Sequence, residues 1–179
     1  MSALNLPGLE LSWHDREQWN KAIDFLKRLF SSQPDSLSSV ITKAHEIKKK
    51  TDIMDSFIQK NTSEVCPDCK KVCCINKHGY YDYEDLIYIF ALGLKTPFYK
   101  TDIDDTAPCQ FLSDSGCTIE RSSRPFRCNW YFCNDLIAHI SNGPAKPYRE
   151  FSSRFQEIQS LRREMLSDFF RIVNTKFAG

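Results

Sequence analysis

Eight cysteines lie between positions 66 and 133 of this 179-residue chain, and none lies elsewhere. Four fall within nine residues, "CPDCKKVCC" at 66–74, where Cys73 and Cys74 are adjacent. Cys109, Cys117, Cys128 and Cys133 follow, giving the spacing C-x2-C-x3-C-C-x34-C-x7-C-x10-C-x4-C. Thiolates are soft ligands that select zinc, copper(I) or iron–sulfur clusters. Four complete one tetrahedral zinc site or one cubane, so eight can serve two centres, or one centre with thiols to spare. The C-x2-C pair Cys66 and Cys69 sits in a turn that aims two sulfurs at one ion. The adjacent pair should diverge, serving different centres or supplying one ligand between them. On spacing, replacing Cys66 or Cys69 should therefore cost more metal than replacing Cys73 or Cys74. An ordinary zinc ribbon needs two C-x2-C pairs per ion, and the irregular later spacings fit an iron–sulfur cluster at least as well. An iron–sulfur cluster is expected ahead of Zn2+, with one centre or two left open.

Cysteines that cluster in this way hold metal in a reducing compartment and cross-link in an oxidising one. The N-terminal "MSALNLPGLELSWHDREQW" has neither a basic start nor an apolar run of export-signal length. The most apolar stretch, "DLIYIFALGL", is too short to span a bilayer. A cytoplasmic location and reduced thiols are the expectation. A formal net charge of +1 argues against nucleic acid or an anionic membrane as a partner.

Apolar periodicity predicts a mainly α protein. One amphipathic helix is expected over about 12–30, with Trp19, Ala22, Ile23, Leu26, Leu29 and Phe30 on one face and Ser12 and Asp15 as a capping pair. A second, over about 36–60, buries Leu37, Val40, Ile41, Ala44, Ile47, Met54 and Phe57 or Ile58, and leaves Lys48, Lys49 and Lys50 on a solvated surface. A short buried helix is expected over about 82–92, capped by Asp82 and stopped by Gly93. A last helix, over about 148–176, carries Phe151, Phe155, Ile158, Leu161, Met165, Phe169 and Ile172. Residues 95–147 contain five prolines and read as irregular, a stretch that a compact domain tolerates when something ties it down. The chain is thus read as one domain, 1–179: N-terminal helices over 1–63, a cysteine-rich metal-binding module over 64–135, and a C-terminal helix over 148–177.

"CPDCKKVCC" joined to "CQFLSDSGCTIERSSRPFRCNWYFC" resembles the YkgJ-type, or CxxCxxCC, group of zinc- or iron-chelating proteins. That pattern runs from a dense cluster ending in adjacent cysteines, through Cys-x-Phe-Leu and Cys-x-Ile, to Arg-Pro and two final cysteines. Here its elements are Cys109 with Phe111 and Leu112, Cys117 with Ile119, Arg124 with Pro125, then Cys128 and Cys133. The match covers about 66–133, and it departs from the pattern in one place: three residues, not two, precede the adjacent pair. The resemblance implies that Cys66, Cys69, Cys73, Cys74, Cys109, Cys117, Cys128 and Cys133 form a metal site for zinc or iron. A related cysteine domain occurs in flagellin lysine methylases, which raises an S-adenosylmethionine-dependent enzyme as an alternative.

Other residues carry weaker signals. Lys70, Lys71, Arg121, Arg124 and Arg127 can offset the negative charge of a thiolate centre, or lie on a solvated surface. Trp130, Tyr131 and Phe132 can shield such a centre or pack in the core. His14, His45, His78 and His139 are dispersed, and His78 before Gly79 reads as a turn residue with a substitute-ligand role as the alternative. Asp102, Asp104 and Asp105 read as turn carboxylates, with a hard-cation site as the alternative. Three functions remain in play. The favoured one is a metal-binding protein whose centre serves the fold and redox or regulatory work. The others are a metal-dependent redox or group-transfer enzyme and a structural zinc module presenting helices to a protein partner. Neither substrate nor partner is legible.

Overall fold

The computed structural model describes residues 11, 13–69, 72–96 and 98–177, the last two without their side chains. The protein is mainly helical, as the periodicity predicts. Its helices are α1 (Arg16–Ser32), α2 (Ser38–Val65), α3 (Tyr83–Ala91), α4 (Asn134–Ser141) and α5 (Ala145–Phe177). Two-residue strands β1 (Leu112–Ser113) and β2 (Gly116–Cys117) form an antiparallel hairpin, and 3-10 turns occupy Asn76–His78, Arg121–Ser123 and Phe126–Asn129. Among the described residues no helix is long and apolar enough to cross a membrane.

The helix ends have local causes. Asp15 is itself the N-cap of α1, its carboxylate accepting from the Glu17 and Gln18 N–H groups, so the helix starts later than expected. The Ser12 half of the expected capping pair lies outside the described residues. Asp82 and Asp85 close a capping box on α3, and Gly93, at φ +65°, follows its last turn in the left-handed conformation that glycine adopts without strain. α2 runs five residues beyond its expected end. Its last turn is polar, which hides it from apolar periodicity, and Pro67 ends it. α5 begins before Pro147 because a first-turn residue has no helical acceptor for its N–H, so proline costs nothing there.

α2 and α5 form the main seam. Lys43 pairs with Asp168 at 2.7 Å, Lys50 with Glu157 at 2.6 Å, and Phe57 stacks on Phe151 at 4.8 Å. Position rises along one helix as it falls along the other, so the pair is antiparallel. Val40, Ile47, Met54 and Ile58 of α2, and Ile158, Met165, Phe169 and Val173 of α5, are each at most 3% exposed. Each such side chain contributes about 1.5–3 kcal/mol, against about 0–1 kcal/mol for a surface ion pair, so apolar burial holds the seam and the ion pairs set its register. The buried stripe of α5 is rotated from the expected one: Phe155, Leu161 and Ile172 are partly buried, while Leu166, Val173 and Arg162 are buried. α3 packs on α1, with Trp19 stacked on Tyr99 at 4.5 Å and tilted against the fully buried Tyr81.

The stretch 95–147 is more ordered than expected. α4 lies within it, as do the hairpin and two 3-10 turns. α4 has eight residues, and its buried side chains, Leu136 and Ile140, supply a single i, i+4 repeat.

Candidate metal centre

α2 delivers the first ligand candidate. Cys66 is its C-cap, donating its N–H to the Thr62 carbonyl at 2.9 Å, and Cys69 turns back to donate its N–H to the Cys66 carbonyl at 3.2 Å. Beyond it, residues 74–76 pair with 107–109. Cys109 donates its N–H to the Cys74 carbonyl at 2.9 Å, Ile75 bridges Pro108, and Asn76 donates its N–H to the Ala107 carbonyl at 2.8 Å. The buried Asn76 side chain fixes this pairing, donating to the Ile103 carbonyl and accepting from Gln110 at 3.1 Å.

Gly79 explains where the Cys109 sulfur goes. A Cβ at this position would stand 2.6 Å from Cys109 Sγ, so the thiol occupies the space a side chain would take. The Cys128 thiol points at the neighbouring His78 carbonyl, 3.9 Å away. Cys117 lies opposite Leu112 in the hairpin, which Phe111 anchors by packing edge-on against Tyr81. The Cys128 segment is tied down twice. Arg121 donates to the Cys128 carbonyl at 3.2 Å and to Asp55 of α2 at 2.6 Å, and Tyr81 donates its hydroxyl to the Ser123 carbonyl at 2.7 Å. Cys133 is the N-cap residue of α4, and α4 packs against α2 with His139 and Glu64 paired at 3.1 Å.

All eight are thiols rather than disulfides; Cys66, Cys74 and Cys117 are exposed and the others half-buried. They bear on one another. Burial pushes the Cys66 thiol up, helped by Cys73, Cys133 and Cys69. Burial pushes Cys128 up to about 12, with Cys117 and Cys109 acting the same way and Arg124 opposing. A hydrogen bond from Cys73 to Cys74 raises the former and lowers the latter, and Cys73 also meets Cys133. The adjacent thiols therefore do not fully diverge as expected. Among the described residues no three His, Cys, Asp or Glu side chains are set to hold one ion. The sulfurs are neighbours without being a formed coordination shell. As donors they fit a soft cation, since gathered thiols lose their protons together only when a cation offsets the charge.

The other signals resolve as follows. His78 positions the cysteine segments, donating Nδ1–H to the Cys73 carbonyl at 2.8 Å with its ring 4.7 Å from that of Tyr131. Trp130 and Tyr131 are 42% and 39% exposed, so neither acts as a core residue or a full shield, whereas Phe132 packs on Phe151. Asp104 is a turn carboxylate, accepting from the Thr106 N–H at 2.8 Å. Asp105 pairs with His14 at 3.2 Å and accepts from Tyr80, whose hydroxyl is pushed up to about 12 by burial and then by Asp105. Lys70 and Lys71 lie outside the described residues; Arg127 is exposed. A groove of about 430 Å³ runs beside Cys117 between α2 and 117–124, with Lys48–Asp52 and Arg121–Asp55 paired along it.

Sequence reasoning missed the ion cluster that holds this region to the helices. Arg162 of α5, with an 8% exposed side chain, meets Asp85 at 3.0 Å and Asp82 and Glu84 at 3.4 Å, and lies over the Phe126 ring at 4.6 Å. Asp85 also accepts the Phe126 N–H at 3.0 Å. No family model, curated protein or solved structure matches the chain.

Proposed function

We propose that this is a metal-binding protein whose eight cysteines hold zinc or an iron–sulfur cluster, and whose metal fastens the segment between α2 and α5 to the helices. The observation that carries the reading is the approach of the Cys109 and Cys128 thiols to Gly79 and His78, whose ring also bonds to the Cys73 carbonyl, so that three cysteine-bearing stretches of chain meet there. The ordered motif that resembles the YkgJ-type group supports it from the sequence side. Between 109 and 133 the chain is held to the helices by Arg121 to Asp55, Phe126 to Asp85 and rings such as Phe126 on Phe155 and Phe132 on Phe151, while little regular structure carries the cysteines themselves, so a metal has a structural task here. A redox or regulatory role follows if the group is an iron–sulfur cluster, because zinc has no redox chemistry.

The test is metal analysis and visible absorption of full-length protein purified without oxygen. A brown sample with matched iron and sulfide identifies a cluster, and a colourless sample with stoichiometric zinc identifies the ion. Protein that carries neither, and takes up neither on reconstitution, overturns the proposal.

A further inference from the structure

We propose that the eight thiols form two four-sulfur sites, Cys66, Cys69, Cys73 and Cys133 in one and Cys74, Cys109, Cys117 and Cys128 in the other, each taking one soft divalent cation. This rests on the metal-binding reading and goes beyond it in assigning every thiol to a site, with the peptide bond between Cys73 and Cys74 as the seam.

The first set gathers where two helix ends meet. Cys66 closes α2 and Cys133 opens α4, and the Glu64–His139 pair at 3.1 Å holds these ends together. Cys69 returns on Cys66 through the backbone turn. Cys73 is directed to the same place by His78, which bonds to the Cys73 carbonyl at 2.8 Å while its ring packs on Tyr131, two residues before Cys133. The charges of Cys73, Cys133 and Cys69 act on Cys66, as that of Cys66 does on Cys74 across the division, and the Cys73 thiol hydrogen-bonds with that of Cys133.

The second set gathers on one peptide unit. The His78 carbonyl receives the Cys128 thiol, and the Gly79 Cα, in the same peptide unit, backs the Cys109 sulfur. Cys74 is fixed beside Cys109 by the 2.9 Å backbone bond, and the hairpin that starts after Cys109 brings Cys117 round. The charges of Cys117 and Cys109 act on Cys128, and that of Cys117 on Cys109. Cys74 hydrogen-bonds with Cys73 across the division, as a residue at the seam can, and feels the charges of Cys128 and Cys109 on its own side and of Cys66 on the other. Among the described residues no three of these side chains are yet set around one ion, so each set closes on its cation as it binds; four thiolates satisfy a tetrahedral ion, and neither set needs a ligand from the other.

This assignment removes the redundancy expected of the adjacent pair. Cys73 and Cys74 become separate obligatory ligands, so each should cost one ion when replaced, as should Cys66 and Cys69.

The experiment is Co2+ and Zn2+ titration of reduced full-length protein, with bound metal counted per chain and unprotected thiols counted by a colorimetric thiol reagent. Wild type should bind two ions and protect all eight thiols. A double replacement within one set, Cys66→Ser with Cys69→Ser or Cys109→Ser with Cys128→Ser, should leave one ion and four protected thiols. A double replacement across the sets, Cys69→Ser with Cys117→Ser, should leave no tight ion. Because a variant that has lost a ligand can also lose structure, the wild-type titration decides by itself: saturation at one ion, with several thiols still reactive, overturns the two-site assignment and leaves metal binding intact. A cross-set variant that keeps as much metal as a within-set variant overturns it as well. Wild type that binds neither Co2+ nor Zn2+ and protects no thiol overturns the two-site assignment, and if it also takes up no iron–sulfur cluster on anaerobic reconstitution with iron and sulfide it overturns the underlying metal-binding reading.

Discussion

Replacing Arg162 with methionine should destabilise the protein by about 3–5 kcal/mol, the usual cost of stranding one partner of a buried ion pair. The magnitude comes mainly from Asp85. Its side chain is 5% exposed, whereas Asp82 and Glu84 are 56% and 49% exposed and keep water as an alternative partner. Those two pairs are worth about 0–1 kcal/mol each. Methionine fills much of the space of the arginine stem, so little of the loss is cavity. For a chain of this size the change lowers the melting temperature by roughly 6–20 °C. The effect should depend on pH with a defined sign. Burial raises the Asp85 carboxyl above its ordinary value, Asp82 adds to the rise, and Arg162 and the Phe126 N–H oppose it. The folded state therefore holds this proton more tightly than the unfolded state, and stability falls as pH climbs above the ordinary carboxylate range. Loss of Arg162 removes an opposing influence and widens that window, so the deficit of the variant should be larger at about pH 8 than at about pH 5. Urea unfolding of wild type, Arg162→Met, Asp85→Asn and the double variant measures both effects, and the cycle should give a coupling of about 1–3 kcal/mol. A deficit below about 1 kcal/mol that is equal at both pH values would refute the reasoning.

Gly79→Ala should cost about 1–3 kcal/mol by overpacking and should change the reactivity of the Cys109 thiol, because the new methyl would stand 2.6 Å from its sulfur. Gly93→Ala, in open space at φ +65°, should cost stability without altering any thiol; equal thiol profiles for the two variants would contradict the packing argument. Hydrogen bonds from Lys43 and Arg171 hold the Asp168 carboxyl down at about 2, so its stabilising effect is present at neutral pH and is lost as pH falls below the ordinary carboxylate value. Asp168→Asn should flatten the acid limb of the stability profile between about pH 4 and about pH 2, and an acid limb identical to that of wild type would count against the pair. Stripping the proposed metal with a chelator should abolish much of the near-UV circular dichroism while the α2–α5 pair keeps most of the far-UV signal, since structural metal binding contributes on the order of 10 kcal/mol. A stripped sample with unchanged near-UV signal and melting temperature would remove the structural role.

What could be read in advance was what the chain decides locally. α1, α2 and α5 repeat apolar residues over several turns, and the Asp82 and Gly93 signals act within one turn of the residues they control. What escaped depends on partners far along the chain. Arg162 sits on a helix whose other charges are mostly exposed, and the acids that bury it lie 77 to 80 residues earlier. The α5 stripe is likewise set by its partners, with Arg162, Leu166 and Val173 on the buried side. α4 is too short to show a period. Among the cysteines, composition and spacing marked the eight candidates, while which sulfurs become neighbours depends on how distant segments pack. The role of Gly79 was not legible, because a glycine that makes room for a sulfur 30 residues away leaves no local mark.

The antiparallel seam between α2 and α5 also has a consequence for how the protein is made. Lys43 and Asp168 are 125 residues apart, so α2 leaves the ribosome long before its partner exists. At roughly 5–20 residues per second the delay is about 6–25 s. Throughout it, the stripe of Val40, Ala44, Ile47, Met54 and Ile58 has no α5 to cover it. Contacts this distant in sequence also slow the search for the native topology. The nascent chain is thus most exposed to aggregation during the interval in which its cysteine-bearing segment is being synthesised.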